Sequence, residues 1–170
     1  MGDDSADLGL KACGGLMPRV VGLDVGDRRI GVAISDGLGL TAQPLFTLQR
    51  TGRKGDLKKE VKWIGRLLRK HGVTEVVVGN PLHMSGDVSP QAVKSQAFAE
   101  ALRAEFGVTV HLWDERLTSM EAHEILDGAG YARGPERRRV IDQVAAVVIL
   151  QSFLQARANE RDRAGGSGGV

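Results

Sequence analysis

Hydrophobic and polar positions along this chain follow a pattern that predicts five strands. Residues 19–25 and 30–35 are apolar runs separated by a short polar turn, which predicts a β-hairpin. Residues 41–48 predict a third strand, and Pro44 favours a sheet edge because proline cannot donate a ladder hydrogen bond. Two further apolar segments predict the fourth and fifth strands, at residues 75–79 and 108–113.

Helical periodicity fills most of the chain between and after these strands. Residues 56–71 carry apolar side chains on one face only, which predicts an amphipathic helix. Ser89 is suited to cap a helix over 90–106, and Thr118 opens a capping box that predicts a third helix. The last helix, predicted over about 141–157, is apolar on most sides and should therefore pack deeply against a sheet.

This order of elements predicts an α/β fold with a mixed five-stranded sheet. Three strands form an antiparallel meander, and the fourth and fifth enter through helical crossovers that make them parallel to the first. We expect the strand order 3-2-1-4-5 with helices on both faces. That order creates a topological switch point beside strand 1, and ligands of open α/β sheets bind at such points, outside the carboxyl ends of the strands.

Three acidic residues are predicted to meet at this edge of the sheet. Asp24 lies near the end of strand 1, Glu115 follows strand 5, and Asp142 continues an apolar stripe at the start of the last helix. Each also has an ordinary structural explanation. Asp142 suits a helix N-cap, Glu115 suits a surface ion pair with Arg116 or another basic residue, and Asp24 suits hydrogen bonds from backbone amides of the following turn.

Taken together, the three carboxylates indicate a site for a divalent cation. An ionised carboxylate is costly to bury without a partner, and three converging ones repel each other. Hard oxygen ligands favour Mg²⁺ or Mn²⁺, and the four histidines are too scattered for a zinc site. A metal site of this kind is suited to hydrolysis of phosphodiester bonds.

Length, charge and cysteine content limit the class of protein. A chain of 170 residues is most simply one domain, predicted over residues 17–158, with disordered tails at 1–16 and 159–170. Its single cysteine excludes an intrachain disulfide and indicates a reducing, cytoplasmic location. No apolar run approaches the roughly 18 residues of a membrane span, so no membrane association is expected.

The net charge of +2 is small, but the basic residues are clustered along the chain. A solvated surface explains any one cluster taken alone. Near the acidic residues, however, arginines are suited to steering a nucleic-acid backbone towards the metal. The candidate nucleic-acid-binding residues are Arg28, Arg29, Arg116, Arg133, Arg137, Arg138 and Arg139.

Four segments resemble motifs of one known family: GLDVGDRRIGVAISD, VVVGNPLHMSG, LWDERLTSMEA and IDQVAAVVILQSFL. In this order they are similar to the YqgF family, also called RuvX-like Holliday junction resolvases, over about residues 18–156. The resemblance implies a ribonuclease H-like three-layer fold. It also implies a nuclease that processes the 5′ end of pre-16S rRNA during ribosome biogenesis, with Asp24, Glu115 and Asp142 as its acidic set.

Several alternatives remain open on the sequence alone. Actin-like ATPases and sugar kinases also begin with the D-x-G motif and a hairpin, although this chain has room for only one of their two lobes. A non-catalytic RNA- or ribosome-binding protein is the second alternative. Within the nuclease interpretation, the substrate is either pre-rRNA, with ribosomal particles as partners, or branched DNA. The chain is either a monomer or a homodimer.

Overall fold

The computed structural model describes residues 17–51, 56–115 and 135–166, the last range with side chains from residue 142 onward. Five strands and three helices follow each other along these ranges. They are β1 (Val20–Val25), β2 (Arg29–Ser35), β3 (Ala42–Gln49), α1 (Lys58–Lys70), β4 (Glu75–Asn80), α2 (Pro90–Phe106), β5 (Thr109–Asp114) and α3 (Pro135–Gly166). The helix predicted from the capping box at Thr118 lies outside the described residues.

The five strands form one mixed sheet in the order β3-β2-β1-β4-β5, which confirms the predicted order. Strands β1, β2 and β3 pair antiparallel, whereas β4 and β5 run parallel to β1. Pro44 lies on β3 at the edge of the sheet, as its missing N–H requires. The carboxyl ends of β1, β4 and β5 therefore lie at the same end of the sheet as the β1–β2 turn.

Helix α2 has the boundaries that its sequence signals predict. The Ser89 hydroxyl accepts a hydrogen bond of 3.0 Å from the backbone N–H of Ala92, and Pro90 occupies the first helical position. At the other end, Gly107 has a φ of 64°, a left-handed conformation that costs glycine little. These caps fix the crossover that brings the chain from β4 to β5.

Helix α3 is longer at both ends than predicted. It begins at Pro135, because proline is preorganised for the first turn of a helix and the basic residues that follow continue it. It ends at Gly166, so residues 159–166, expected as a disordered tail, are helical. Their arginine, glutamate and alanine residues are good helix formers, and charge alone does not end a helix. Residues 1–16 and 167–170 lie outside the described ranges.

Two hydrophobic cores lie on opposite faces of the sheet. On one face, α1 and α2 pack against strand residues that include Leu23 and Val78, with Phe98 fully buried between them. On the other face, α3 packs against Val20, Ala33 and Val77. The result is the predicted arrangement of three layers. No helix in the described part of the chain is long and apolar enough to cross a membrane.

Helix α3 approaches the sheet so closely that side chains are excluded between them. A Cβ atom on Gly22 would lie 2.7 Å from the Cβ of Leu150, which is closer than real Cβ atoms come. A Cβ atom on Gly31 would overlap the backbone carbonyl of Asp142. Glycine at these two positions therefore lets the segment of α3 from Asp142 to Leu150 lie directly on β1 and β2.

Candidate active site

Asp24 occupies the face of β1 that is covered by α3. Alternation along the strand directs Leu23 and Val25 into the core beneath α1 and α2, so Asp24 points the other way. Its cross-strand partner on β2 is Gly31, and no described residue donates a hydrogen bond to its carboxylate. Burial raises the pKa of Asp24 to about 7, with further contributions from the charges of Glu115 and Asp142.

Glu115 follows directly after β5 and turns inward. Its carboxylate lies over Gly79 of β4, where a Cβ atom would overlap Glu115 Oε1. Burial, followed by the charge of Asp114, raises the pKa of Glu115 to about 6. Glycine at position 79 is therefore part of the site, because it leaves space for this carboxylate.

Asp142 lies two turns inside α3, so it is not a helix N-cap. Its Oδ2 atom is 2.5 Å from Nε of Arg29, and both side chains are 22% exposed. The cation that meets Asp142 in the structure is thus an arginine on the neighbouring strand. Arg29 is a predicted nucleic-acid-binding residue, whereas its observed partner is an acidic residue of the site.

The structure brings the three predicted acidic residues together at one end of the sheet. The charges of Glu115 and Asp142 both act on Asp24, as the predicted switch point requires. Within the described ranges, no three Asp, Glu, His or Cys side chains form a ready-made metal cluster. The three carboxylates are neighbours, and one of them, that of Asp142, forms an ion pair with Arg29.

The turn between β1 and β2 is held in place by three residues that sequence analysis missed. The Arg50 guanidinium donates a hydrogen bond of 2.8 Å to the carbonyl of Gly26, and Gln91 donates to the carbonyl of Val25. Lys94 Nζ lies 2.5 Å from Asp27 Oδ1. Arg50 lies in a basic segment of the sequence, and its spacing from the turn does not indicate this contact.

Only some of the predicted nucleic-acid-binding arginines lie within the described residues. Arg28 is exposed in the β1–β2 turn, four positions after Asp24. Arg116 and Arg133 lie outside the described residues. The remaining three occupy the first turns of α3, whose side chains are not described: Arg137, Arg138 and Arg139.

A family model described as "RuvX: Holliday junction resolvase" matches residues 18–156. The chain belongs to the RuvX family. Its curated relatives include a protein of Pelotomaculum thermopropionicum, 45% identical over 148 residues, which cover 87% of this chain and 94% of the relative. A Myxococcus xanthus protein is 49% identical over 138 residues, which cover 81% and 88%. Both are named "Putative pre-16S rRNA nuclease".

A solved structure supports the fold of this RuvX chain independently. RuvC of Thermus thermophilus, solved in complex with a Holliday junction substrate, has a TM-score of 0.52 and 18% identity. The match covers 84% of this chain and 97% of RuvC. The ribonuclease H-like fold is thereby confirmed. Membership of the RuvX family confirms a nuclease and decides against the ATP-binding alternative.

Proposed function

We propose that Asp24, Glu115 and Asp142 form the catalytic centre of a metal-dependent endonuclease that processes the 5′ end of pre-16S rRNA. The observation that carries this proposal is their convergence on the α3 face, at the carboxyl ends of β1 and β5. Burial is the largest cause of the raised pKa of Asp24, and the negative charges of Glu115 and Asp142 add to it because they oppose ionisation. A cation between the carboxylates would relieve this repulsion.

The donor set fits Mg²⁺ or Mn²⁺. All three groups supply hard oxygen atoms, which these ions prefer, and no thiolate or imidazole is among them. When bound in such a site, a divalent ion activates a water molecule and stabilises the leaving oxygen of a phosphodiester. Binding requires Asp24 and Glu115 to be ionised. It also requires the Asp142 carboxylate either to contact Arg29 and the metal together or to break its ion pair with Arg29.

The surrounding basic residues would hold the substrate. Arg28 is exposed in the turn that follows β1, at the end of the sheet where Asp24 lies, and is suited to meet a phosphate as the strand enters the site. We assign the same role to Arg116, Arg133 and Arg137–Arg139. Arg29 has a different role in this proposal: it positions Asp142 until metal and substrate arrive.

The names of the relatives support pre-16S rRNA as substrate, and hence a cytoplasmic enzyme that meets ribosomal particles. A cleavage assay tests this proposal. Wild-type protein with Mg²⁺ or Mn²⁺ is expected to cut a pre-16S rRNA fragment that carries its 5′ flank. The variants Asp24→Asn, Glu115→Gln and Asp142→Asn should fold and lose cleavage. Asp36→Asn, at the opposite end of β2, is the matched control and should cut normally.

Two results would contradict the proposal. Intact RNA after incubation with wild-type protein and either metal would favour a non-catalytic RNA-binding protein, particularly if Asp24→Asn binds the RNA equally well. Cleavage that survives all three substitutions would place the catalytic centre elsewhere.

Resolution of branched DNA is the second candidate function. The description of the matching family as a Holliday junction resolvase favours it. A four-way DNA junction in the same assay separates the two candidates, because an rRNA-processing enzyme should leave it intact. Paired cuts in the junction, together with a homodimer in solution, would support the resolvase instead.

A further inference from the structure

We propose that an exposed face of α1 binds an unpaired stretch of the RNA substrate, with Trp63 as a stacking platform for a base. We call this surface the Trp63 face, and it consists of Lys59, Lys62, Trp63, Arg66 and Lys70. The inference rests on the proposed function, because it assigns a second contact to the same substrate. It concerns residues of α1, which packs on the face of the sheet opposite to α3 and Asp24, and none of the arginines considered above.

The five residues share one side of α1. Counted from Lys59, the others stand three, four, seven and eleven positions further along, a spacing that places all five in a single stripe along the helix. All five are exposed, including the Trp63 side chain at 39%. Lys70 lies eleven positions after Lys59, so the stripe is about 16 Å long. A large aromatic ring in the middle of a row of cations is a recurrent arrangement for single-stranded nucleic acid.

Trp63 is held by a neighbouring ring and bordered by open space. Its indole and the ring of Phe46 on β3 pack in a T-shaped arrangement, with ring centroids 4.6 Å apart. Cavities of about 340 Å³ and 420 Å³ adjoin it, and both are lined by Trp63 and Arg66. The first extends towards the end of β3 and the second towards Phe46 and Lys70. A fixed ring between two such spaces can accept a flat ligand without rearrangement.

The charge of this surface is not neutralised within the described part of the chain. None of its four cations forms an ion pair there, whereas Arg50, close by, lies 3.8 Å from Glu60. Glu60 itself is buried beneath the surface, at 3% exposure. The Trp63 face therefore presents positive charge outward and complements a phosphate backbone.

The position of this face suits a strand that also reaches the acidic residues. Gln49, the last residue of β3, pairs with Arg29 and lines the first cavity. Arg50 connects the two regions, because it contacts both the β1–β2 turn and Glu60 of α1. The stripe thus begins at the catalytic end of the sheet and leads away from it along α1.

An unpaired RNA strand fits this surface better than the other possible occupants. Fully paired RNA keeps its bases stacked inside the duplex, so it offers Trp63 no free base. A second copy of the chain would bring four like charges onto four others, which disfavours self-association. Single-stranded RNA supplies both the phosphates and the exposed bases.

The test measures binding without cleavage. Full-length Asp24→Asn protein is titrated in EDTA with a labelled single-stranded RNA and with a blunt RNA duplex of the same length. Introducing Trp63→Ala into the Asp24→Asn protein should weaken its binding of the single strand about 5- to 100-fold, the range expected for loss of one stacked base. Trp63→Phe should retain most of the affinity, and both variants should bind the duplex like their parent.

Arg66→Ser tests the electrostatic contribution, with Arg163→Ser at the exposed end of α3 as matched control. Loss of one phosphate contact should reduce the slope of log affinity against log salt by about 0.7 for single-stranded RNA. The control should leave the slope unchanged.

Three results would overturn this inference. One is an unchanged affinity of Trp63→Ala for the single strand, and another is an equal loss for strand and duplex. The third is a wild-type dimer that Trp63→Ala converts to a monomer, which would make this face a contact between copies. Because these experiments measure binding alone, a wild-type protein that fails to cleave RNA would refute the proposed function without altering their outcome.

Discussion

Replacing Asp24 by asparagine should stabilise the metal-free protein, and the gain should grow with pH. The carboxylate lies under α3 beside two other acidic groups, and its pKa rises from the ordinary value of 3.8 to about 7. At about 1.4 kcal/mol for each pKa unit, this difference corresponds to at most about 4 kcal/mol. Because Asp24 is partly accessible to solvent, we expect a gain of about 2 kcal/mol in practice.

The sign follows from proton linkage. Between pH 3.8 and about 7, the folded protein holds a proton on Asp24 that the unfolded chain has released. The free energy of unfolding therefore falls as pH rises through this window and levels off above it. Asparagine carries no charge at any of these pH values, so the free energy of unfolding of the variant does not fall in this way. The two proteins should be most alike near pH 4 and differ most above pH 7.

Urea denaturation in EDTA at a series of pH values measures the effect. Asp36→Asn is the matched control, because hydrogen bonds to the carboxylate, chiefly from the backbone N–H of Leu40, hold the pKa of Asp36 below its usual range. An acid with a lowered pKa stabilises the folded state at neutral pH, and that contribution is lost on acidification. Asp36→Asn should therefore destabilise the protein, and Asp24→Asn should do the opposite.

Two outcomes would refute this reasoning. A stability difference between wild type and Asp24→Asn that does not vary with pH would mean that Asp24 is not forced towards its neutral form. Addition of Mg²⁺ gives the second check, since a ligand that binds the folded state at one hundred times its Kd stabilises by about 2.7 kcal/mol. If Mg²⁺ stabilised the two proteins equally, Asp24 would not be a ligand of the metal.

Three further substitutions test other features of the structure. Arg29→Gln should lower the melting temperature in EDTA but enlarge the rise caused by Mg²⁺, because the guanidinium no longer competes for Asp142. Gly31→Ala should cost about 3 kcal/mol in urea denaturation, since its methyl group meets backbone that cannot rotate away. Phe98→Ala should cost about 3–5 kcal/mol in the same assay, because the ring is fully buried between helices and sheet.

Each of these substitutions has a control in the same structural context. Arg28→Gln changes the exposed arginine of the same turn and should leave the response to Mg²⁺ unaltered. Gly165→Ala places a methyl group in open space and should not lower the stability of the protein. Val93→Ala removes an exposed side chain from α2, so its effect should be slight. Equal effects of variant and control would contradict the corresponding contact.

The sheet and its acidic edge could be predicted because both depend on local patterns. Apolar runs identified the strands, and two helical crossovers required β4 and β5 to be parallel to β1. The predicted ends of β1 and β5 lie within one residue of the observed ends, so Asp24 and Glu115 could be assigned to one edge. These inferences need no knowledge of which side chains touch.

Long-range contacts and helix ends could not be predicted in the same way. Arg29 and Asp142 are 113 positions apart, and nothing in their local sequence favours this pairing over a phosphate contact. The start of α3 was missed because a basic segment after Pro135 resembles a loop in composition although it is compatible with a helix. The space that Gly79 leaves for Glu115 also depends on packing across strands, which a linear pattern does not contain.

The glycines beneath α3 limit how the site can change its dimensions. With no side chain at Gly22 or Gly31, the helix backbone already rests on the strands and cannot come nearer. The same positions offer no protruding groups to stop the helix from moving lengthwise. A movement of the α3 backbone that changes the distance between Asp142 and Asp24 is therefore a shear displacement, in which α3 slides lengthwise over the sheet. A hinge that lifted the helix would instead have to open the second core.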